Sequence, residues 1–207
     1  MIKKAFLEVI QKRVNPIDES NQFGLQFIEG VTDIFWQQYA LNYMNKYGCD
    51  PSFFTKNYST GALSTDSAGR LYADLPESII KLPQTPNSSG SEGVVAVYED
   101  FTSANISAFK PIRERDYRSI LSLPIYSTGT EYYFWVRYDK IFFSDNVTAG
   151  IESSGVQVDL MVPFSKYSYT EDLPIPTDLE KMLIVDVVSY IQGTPFVDQL
   201  NNNRNDQ

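Results

Sequence analysis

Asp74 and Glu77 flank a short turn at Leu75-Pro76, and a carboxylate pair is the one catalytic device this sequence could still offer. The chain has no histidine. That removes Ser-His-Asp and Cys-His catalysis, the His-containing zinc sites and the usual near-neutral proton shuttle. Its one cysteine, Cys49, leaves no internal disulfide and no multi-cysteine metal site. Among 26 acidic residues, carboxylates three positions apart arise by coincidence. Nothing in the spacing of Asp74, Glu77 and Asp159 singles out a pair, and Asp159 is expected on the exposed face of a strand. Ser165-Lys166 fails as a dyad, because adjacent strand residues point to opposite faces. Asp186 falls on the apolar side of a C-terminal helix, where a carboxylate is costly to bury alone. Either it fixes that helix against a neighbour, or it sits at the edge of the stripe and reaches water.

Lys110, Arg113, Arg115 and Arg118 form the only basic cluster, and Glu114 and Asp116 are interleaved with it. An ion-paired or solvated loop is the expectation there. No Gly-rich phosphate loop, calcium loop or dinucleotide fingerprint occurs. The residues therefore predict no enzyme, no catalytic residue, no metal and no cofactor.

These groups must be carried by a chain of 207 residues, enough for one domain that needs no staple. Hydrophobic residues at 43% and charged residues at 21% are ordinary globular proportions. Aromatics reach 14%, a composition that suits both strands and contact surfaces. The net charge of −9 argues against a dedicated nucleic-acid reader and against docking on an anionic membrane. MIKKAFLEVIQKRV lacks the apolar run of a signal peptide, and no stretch approaches a membrane span, so a cytosolic origin is expected. Four N-x-S/T sequons, at Asn57, Asn87, Asn105 and Asn146, are what chance gives in a chain rich in Asn, Ser and Thr.

The periodicities predict an α+β chain in three zones. Residues 1–48 are helical. Ile2, Phe6, Val9, Ile10 and Arg13 mark one helix stopped by Pro16, and a second runs over Val31–Tyr47 with Thr32 as N-cap and Gly48 as stop. The second is apolar round most of its circumference, so it is either buried centrally or meets another subunit on one face. Residues 49–172 read as an inserted antiparallel β region. Its strands fall at Arg70–Leu75, Val94–Tyr98, Tyr132–Tyr138, Ile141–Phe143 and Val156–Val162, with an Asp139-Lys140 turn and a loop at Thr55–Gly69. Residues 173–193 form the C-terminal helix, expected to be long, after the lead-in Leu173-Pro174-Ile175-Pro176, with a Thr177–Glu180 capping box and Gly193 and Pro195 as stops. Together 1–193 read as a single domain, and 194–207 as an extended or disordered arm.

The helical start, the segments YYFWVRYDKIFF and VQVDLMVPFSKY, and then LPIPTDLEKMLIVDVVSYIQG resemble the head-to-tail connector proteins of tailed bacteriophages, closest to the ring proteins of crAss-like phages. The resemblance implies a virion structural protein at the capsid-tail junction, made in the host cytoplasm. It implies a ring, commonly of twelve copies, that contacts the portal protein and neighbouring neck or tail rings. DNA would pass through a like-charged lumen without sequence-specific binding, and no membrane is involved. The residues expected at such interfaces are Phe35, Trp36, Tyr39 and Tyr43, then Ile184, Val188 and Ile191, and in the arm Phe196, Val197 and Leu200. The competing reading is a β-rich virion decoration that stacks glycans on exposed Tyr133 and Trp135.

Overall fold

The computed structural model describes residues 1–15, 23–47, 53–80, 93–99, 108–121 and 131–193. In chain order the elements are α1 (Lys3–Val14), α2 (Leu25–Tyr47), β1 (Thr55–Ser59), β2 (Ser64–Thr65), β3 (Leu71–Asp74), β4 (Val94–Glu99) and β5 (Lys110–Pro111). They continue with α3 (Glu114–Leu121), β6 (Tyr133–Arg137), β7 (Lys140–Phe143), α4 (Ala149–Ser154), β8 (Val156–Met161) and α5 (Thr177–Ile191). The protein is α+β, as its periodicities predict. It divides into two compact units: Met1–Lys46 together with Pro163–Gln207, and Tyr47–Val162. Residues 163–172, read from sequence with the β region, belong to the helical unit, where Phe164–Lys166 forms a 3₁₀ turn.

In the helical unit α1 buries Lys3, Phe6, Leu7, Ile10 and Val14. This face is rotated from the expected stripe, because Ile2 is exposed and Lys3 is 2% exposed. The first turn of α1 has no side-chain cap. Its free N–H groups are met from far along the chain, Lys3 N–H donating to the Glu171 carbonyl (2.9 Å) and Lys4 N–H to that of Tyr169 (3.0 Å). The Lys3 ammonium pairs with Glu29 (2.5 Å), donates to the Tyr167 carbonyl (2.8 Å) and lies over the Phe164 ring (4.8 Å). Phe164 in turn packs on Phe6 and Trp36.

Helix α2 begins six residues before the sequence reading placed it. Thr32 is not its cap but an interior residue, whose buried hydroxyl donates to the Ile28 carbonyl one turn back (2.7 Å). Gly30 weakens a helix by about 1 kcal/mol relative to Ala, yet fully buried Ile28 carries the helix across it. In α5 the capping box is likewise absent. Pro176 is the extended residue ahead of the helix, Thr177 is already helical, and no side chain caps the end. Glu180 instead faces the amino group of Met1 at 3.5 Å. Leu183 and Val187 are fully buried and Ile184 nearly so, and the helix, at 15 residues, is shorter than α2 at 23.

Among the described residues the inserted unit holds two sheets, one of order β1-β8-β4 and one of order β2-β3-β7-β6-β5. β1 and β2 lie within the stretch expected to be loop. Polar Thr55, Asn57 and Ser59 are acceptable there because, among the described residues, β1 is an edge strand pairing with β8 alone. The β6–β7 hairpin pairs Arg137 with Lys140, so its turn is Tyr138-Asp139 and not Asp139-Lys140. Tyr138 takes a positive φ of 58° to close it. Gly155 (φ 81°) ends α4 against the chain at Gly61, where any Cβ would come within 1.9 Å of the Gly61 carbonyl oxygen.

These placements change what substitutions should do. Thr177→Ala should move the urea midpoint little, within about 0.5 kcal/mol, whereas Leu183→Ala should cost about 2–5 kcal/mol. Glu29→Ala should cost about 3–5 kcal/mol by leaving the Lys3 ammonium buried without its carboxylate. Equal midpoints for all three would contradict the packing described.

Candidate functional site

The carboxylates singled out by the sequence are held apart by different partners. Asp74 is mostly exposed and pairs with Lys140 (3.3 Å), while Glu77 accepts from the backbone N–H of Ser78 (2.9 Å). Asp159 is buried, contrary to the sequence reading. Its strand, β8, is central, so neighbours on both sides cover it. Burial raises its pKa, an effect only partly offset by the Asn57 amide that donates to it (2.9 Å). Ser165 and Lys166 sit exposed on the 3₁₀ turn rather than on a strand, and the Ser165 N–H is used on Asp33 (3.3 Å). Among the described residues no group of three or more His, Cys, Asp or Glu could hold a metal ion.

Of the basic cluster, Lys110 pairs with Glu131 (2.5 Å) and Arg115 with its neighbour Asp116 (3.2 Å). The Lys110 hydrogen bond holds the Glu131 carboxyl below its usual range. Glu114 is shared between Arg70 and Arg137, at 3.2 Å from each. Arg70 also clasps Asp66 (2.7 Å), and its backbone N–H and guanidinium together hold that carboxyl low. This chain of charges rims an aromatic stack in which Tyr117 lies on Trp135 and Trp135 on Phe142. The stack overturns the glycan platform, since Trp135 is only 3% exposed under Tyr117 and Tyr133 is half-buried.

The expected interface residues divide sharply. Phe35, Trp36, Tyr39 and Ile184 are core residues of the helical unit, because α2 packs there against α5 and the 3₁₀ turn. Phe35 meets Tyr190 edge to face (5.6 Å), and the Tyr39 hydroxyl donates to Asp186. Asp186 therefore does fix its helix, but to a neighbour within the same chain. Tyr43, Val188 and Ile191 are half-buried, and Phe196, Val197 and Leu200 lie outside the described residues.

What α2 leaves outside was missed. Phe27 is 48% exposed and Ile34 56%, with half-buried Leu41 a further seven residues on. That outer face also carries Gln26, Gly30, Gln38, Asn42 and Asn45, so from Gly24 to Asn45 no exposed residue is charged. The two carboxylates in this span, Glu29 and Asp33, are turned to Lys3 and to the 3₁₀ turn. The seven-residue spacing was present in the sequence, but the apolar residues on every side of α2 concealed which of them were spent inside. Among the described residues no helix is long and apolar enough to cross a membrane.

No protein-family profile matches this chain, and no curated protein sequence matches it.

The buried Asp159 gives a pH test. Its folded pKa is raised, so the folded form binds the proton more tightly than the unfolded chain. Its contribution to stability is greatest below the unfolded pKa and falls as pH rises through the window between the two values. Asp159→Asn, whose amide oxygen can still accept from Asn57, should be more stable than the parent at neutral pH and lose that advantage in acid. A constant difference from acid to neutral pH would show that Asp159 is not penalised by burial.

Proposed function

We propose that this chain is a non-catalytic virion structural protein that assembles into a ring of the head-to-tail connector, below the portal, and forms a passive conduit for DNA. The reading rests on the segment that carries the resemblance. Leu173–Ile191 is built as an extended proline lead-in followed by α5, in one compact unit with both N-terminal helices, and the β region is inserted between them. This is the order of elements that the resemblance implies for a connector subunit.

Two further observations support it. The carboxylates examined as candidate catalysts are each tied to a separate structural partner, so none is paired with another for acid–base work. The net charge of −9 favours a lumen past which DNA slides, since like charges do not adhere. The portal and the adjoining neck or tail rings are the partners this reading calls for, with no cofactor and no membrane.

Purified chain, alone and mixed with its portal protein, should form closed rings of many copies in negative-stain images, with a matching native mass. Particles that remain monomeric or dimeric in the presence of the portal would remove the ring reading.

A further inference from the structure

We propose that the outer face of α2, centred on Phe27, Gly30 and Ile34, is a contact surface for a second copy of this chain. The identity of the occupant as a like chain rests on the assembly reading above, but the surface itself is read from three independent features. Two large apolar side chains stand exposed on this one face, Phe27 at 48% and Ile34 at 56%. Phe27, Ile34 and Leu41 recur at intervals of seven, the spacing by which one helix presents a seam to another across about 20 Å of length. Gly30 lies between them with nothing within 4 Å of where a Cβ would stand, which leaves room for close approach.

Charge decides among occupants. A nucleic acid or an anionic bilayer needs cations, and the exposed part of this face between Gly24 and Asn45 has none. A basic protein partner would be met by exposed carboxylates, yet Glu29 and Asp33 are both engaged within the unit. Two copies of a chain bearing −9 repel through their net charge. A surface that carries no exposed charge adds nothing to that repulsion, and depletion of charge with retained aromatic and aliphatic residues is the composition of an interface core. The flanking amides of Gln38, Asn42 and Asn45 supply a polar rim without adding to the repulsion.

This origin has a signature that an ion-paired seam lacks. Salt screens the repulsion between copies and leaves the apolar contact intact, so self-association followed by sedimentation velocity should strengthen on going from about 0.05 to 0.5 M salt. Ile34→Asp should weaken it at least about tenfold, the effect of roughly 1.4 kcal/mol, and Ile34→Ala several-fold. Tyr138→Asp, at an exposed aromatic of the other unit, should leave it unchanged. Melting curves of each variant report whether the fold is retained, and Ile34→Ala keeps the test open if the charged variant unfolds. Association that weakens with salt, or that both Ile34 variants leave intact, overturns the seam. If those variants still form rings with the portal, the seam falls while the ring reading stands. If the parent protein stays monomeric at every salt concentration and with the portal present, both fall.

Discussion

Helix α1 cannot complete its own first turn, and the helical unit is organised around supplying what it lacks. The backbone at Tyr169 and Glu171 closes the turn, and the Lys3 side chain is drawn inward with it. A buried ammonium is tolerable only with dedicated partners. Here they come from three places: the Glu29 carboxylate on α2, the Tyr167 carbonyl and the Phe164 ring. Tyr169 donates to the other oxygen of Glu29, and that bond raises the pKa of its phenol. Hydrophobic packing alone would accept α2 in several rotations about its axis. The Lys3–Glu29 pair, with the Tyr39–Asp186 and Ser165–Asp33 hydrogen bonds, goes with one of them, in which Ile28, Trp36 and Tyr39 are inward and Phe27 and Ile34 outward.

The inserted unit uses charge differently. Its polar clasp, Asp66 to Arg70 to Glu114 to Arg137, lies at half-exposed positions and secures the β2–β3 loop and α3 to the sheet. Individually such pairs contribute little. Linked through one shared carboxylate they hold α3 over Trp135, and the indole is thereby removed from any role at the surface. The Trp135 indole N–H is buried without a partner among the described residues, between the stacked rings of Tyr117 and Phe142.

The sequence made the class of the fold and the main strands legible because both depend on periodicity over several residues, as in the alternation of β8. The failures share a physical cause, which is that a local signal was overridden by a distant partner. Thr177 and Glu180 have capping-box spacing, but Pro176 already occupies the position before the helix and Glu180 faces Met1 instead. Polar Thr55–Ser59 reads as loop until β8 pairs with it from a hundred residues away. Asp159 alternates like a surface residue, and only the order β1-β8-β4 shows that its strand is central. For α2, composition showed a largely buried helix but not which of its sides stays outside. An aromatic-rich helix announces that it is buried, while the side left outside depends on distant partners such as Lys3, Phe164 and Asp186.

The helical unit is assembled from both ends of the chain, whereas the β unit is one contiguous segment. A ribosome delivers these pieces in order. At roughly 5–20 residues per second, about 6 to 25 seconds separate the emergence of α2 from that of Phe164 and α5. During that interval Phe6 and Trp36 lack the Phe164 ring they pack on, and the Lys3 turn lacks the carbonyls that close it. The described strands of the inserted unit all emerge before the last helix of the helical unit, so synthesis allows the β unit to form first. The outer face of α2 then acquires its defined shape only once α5 has emerged, and a nascent chain that has not yet reached α5 does not present to its neighbours the surface that the folded unit does.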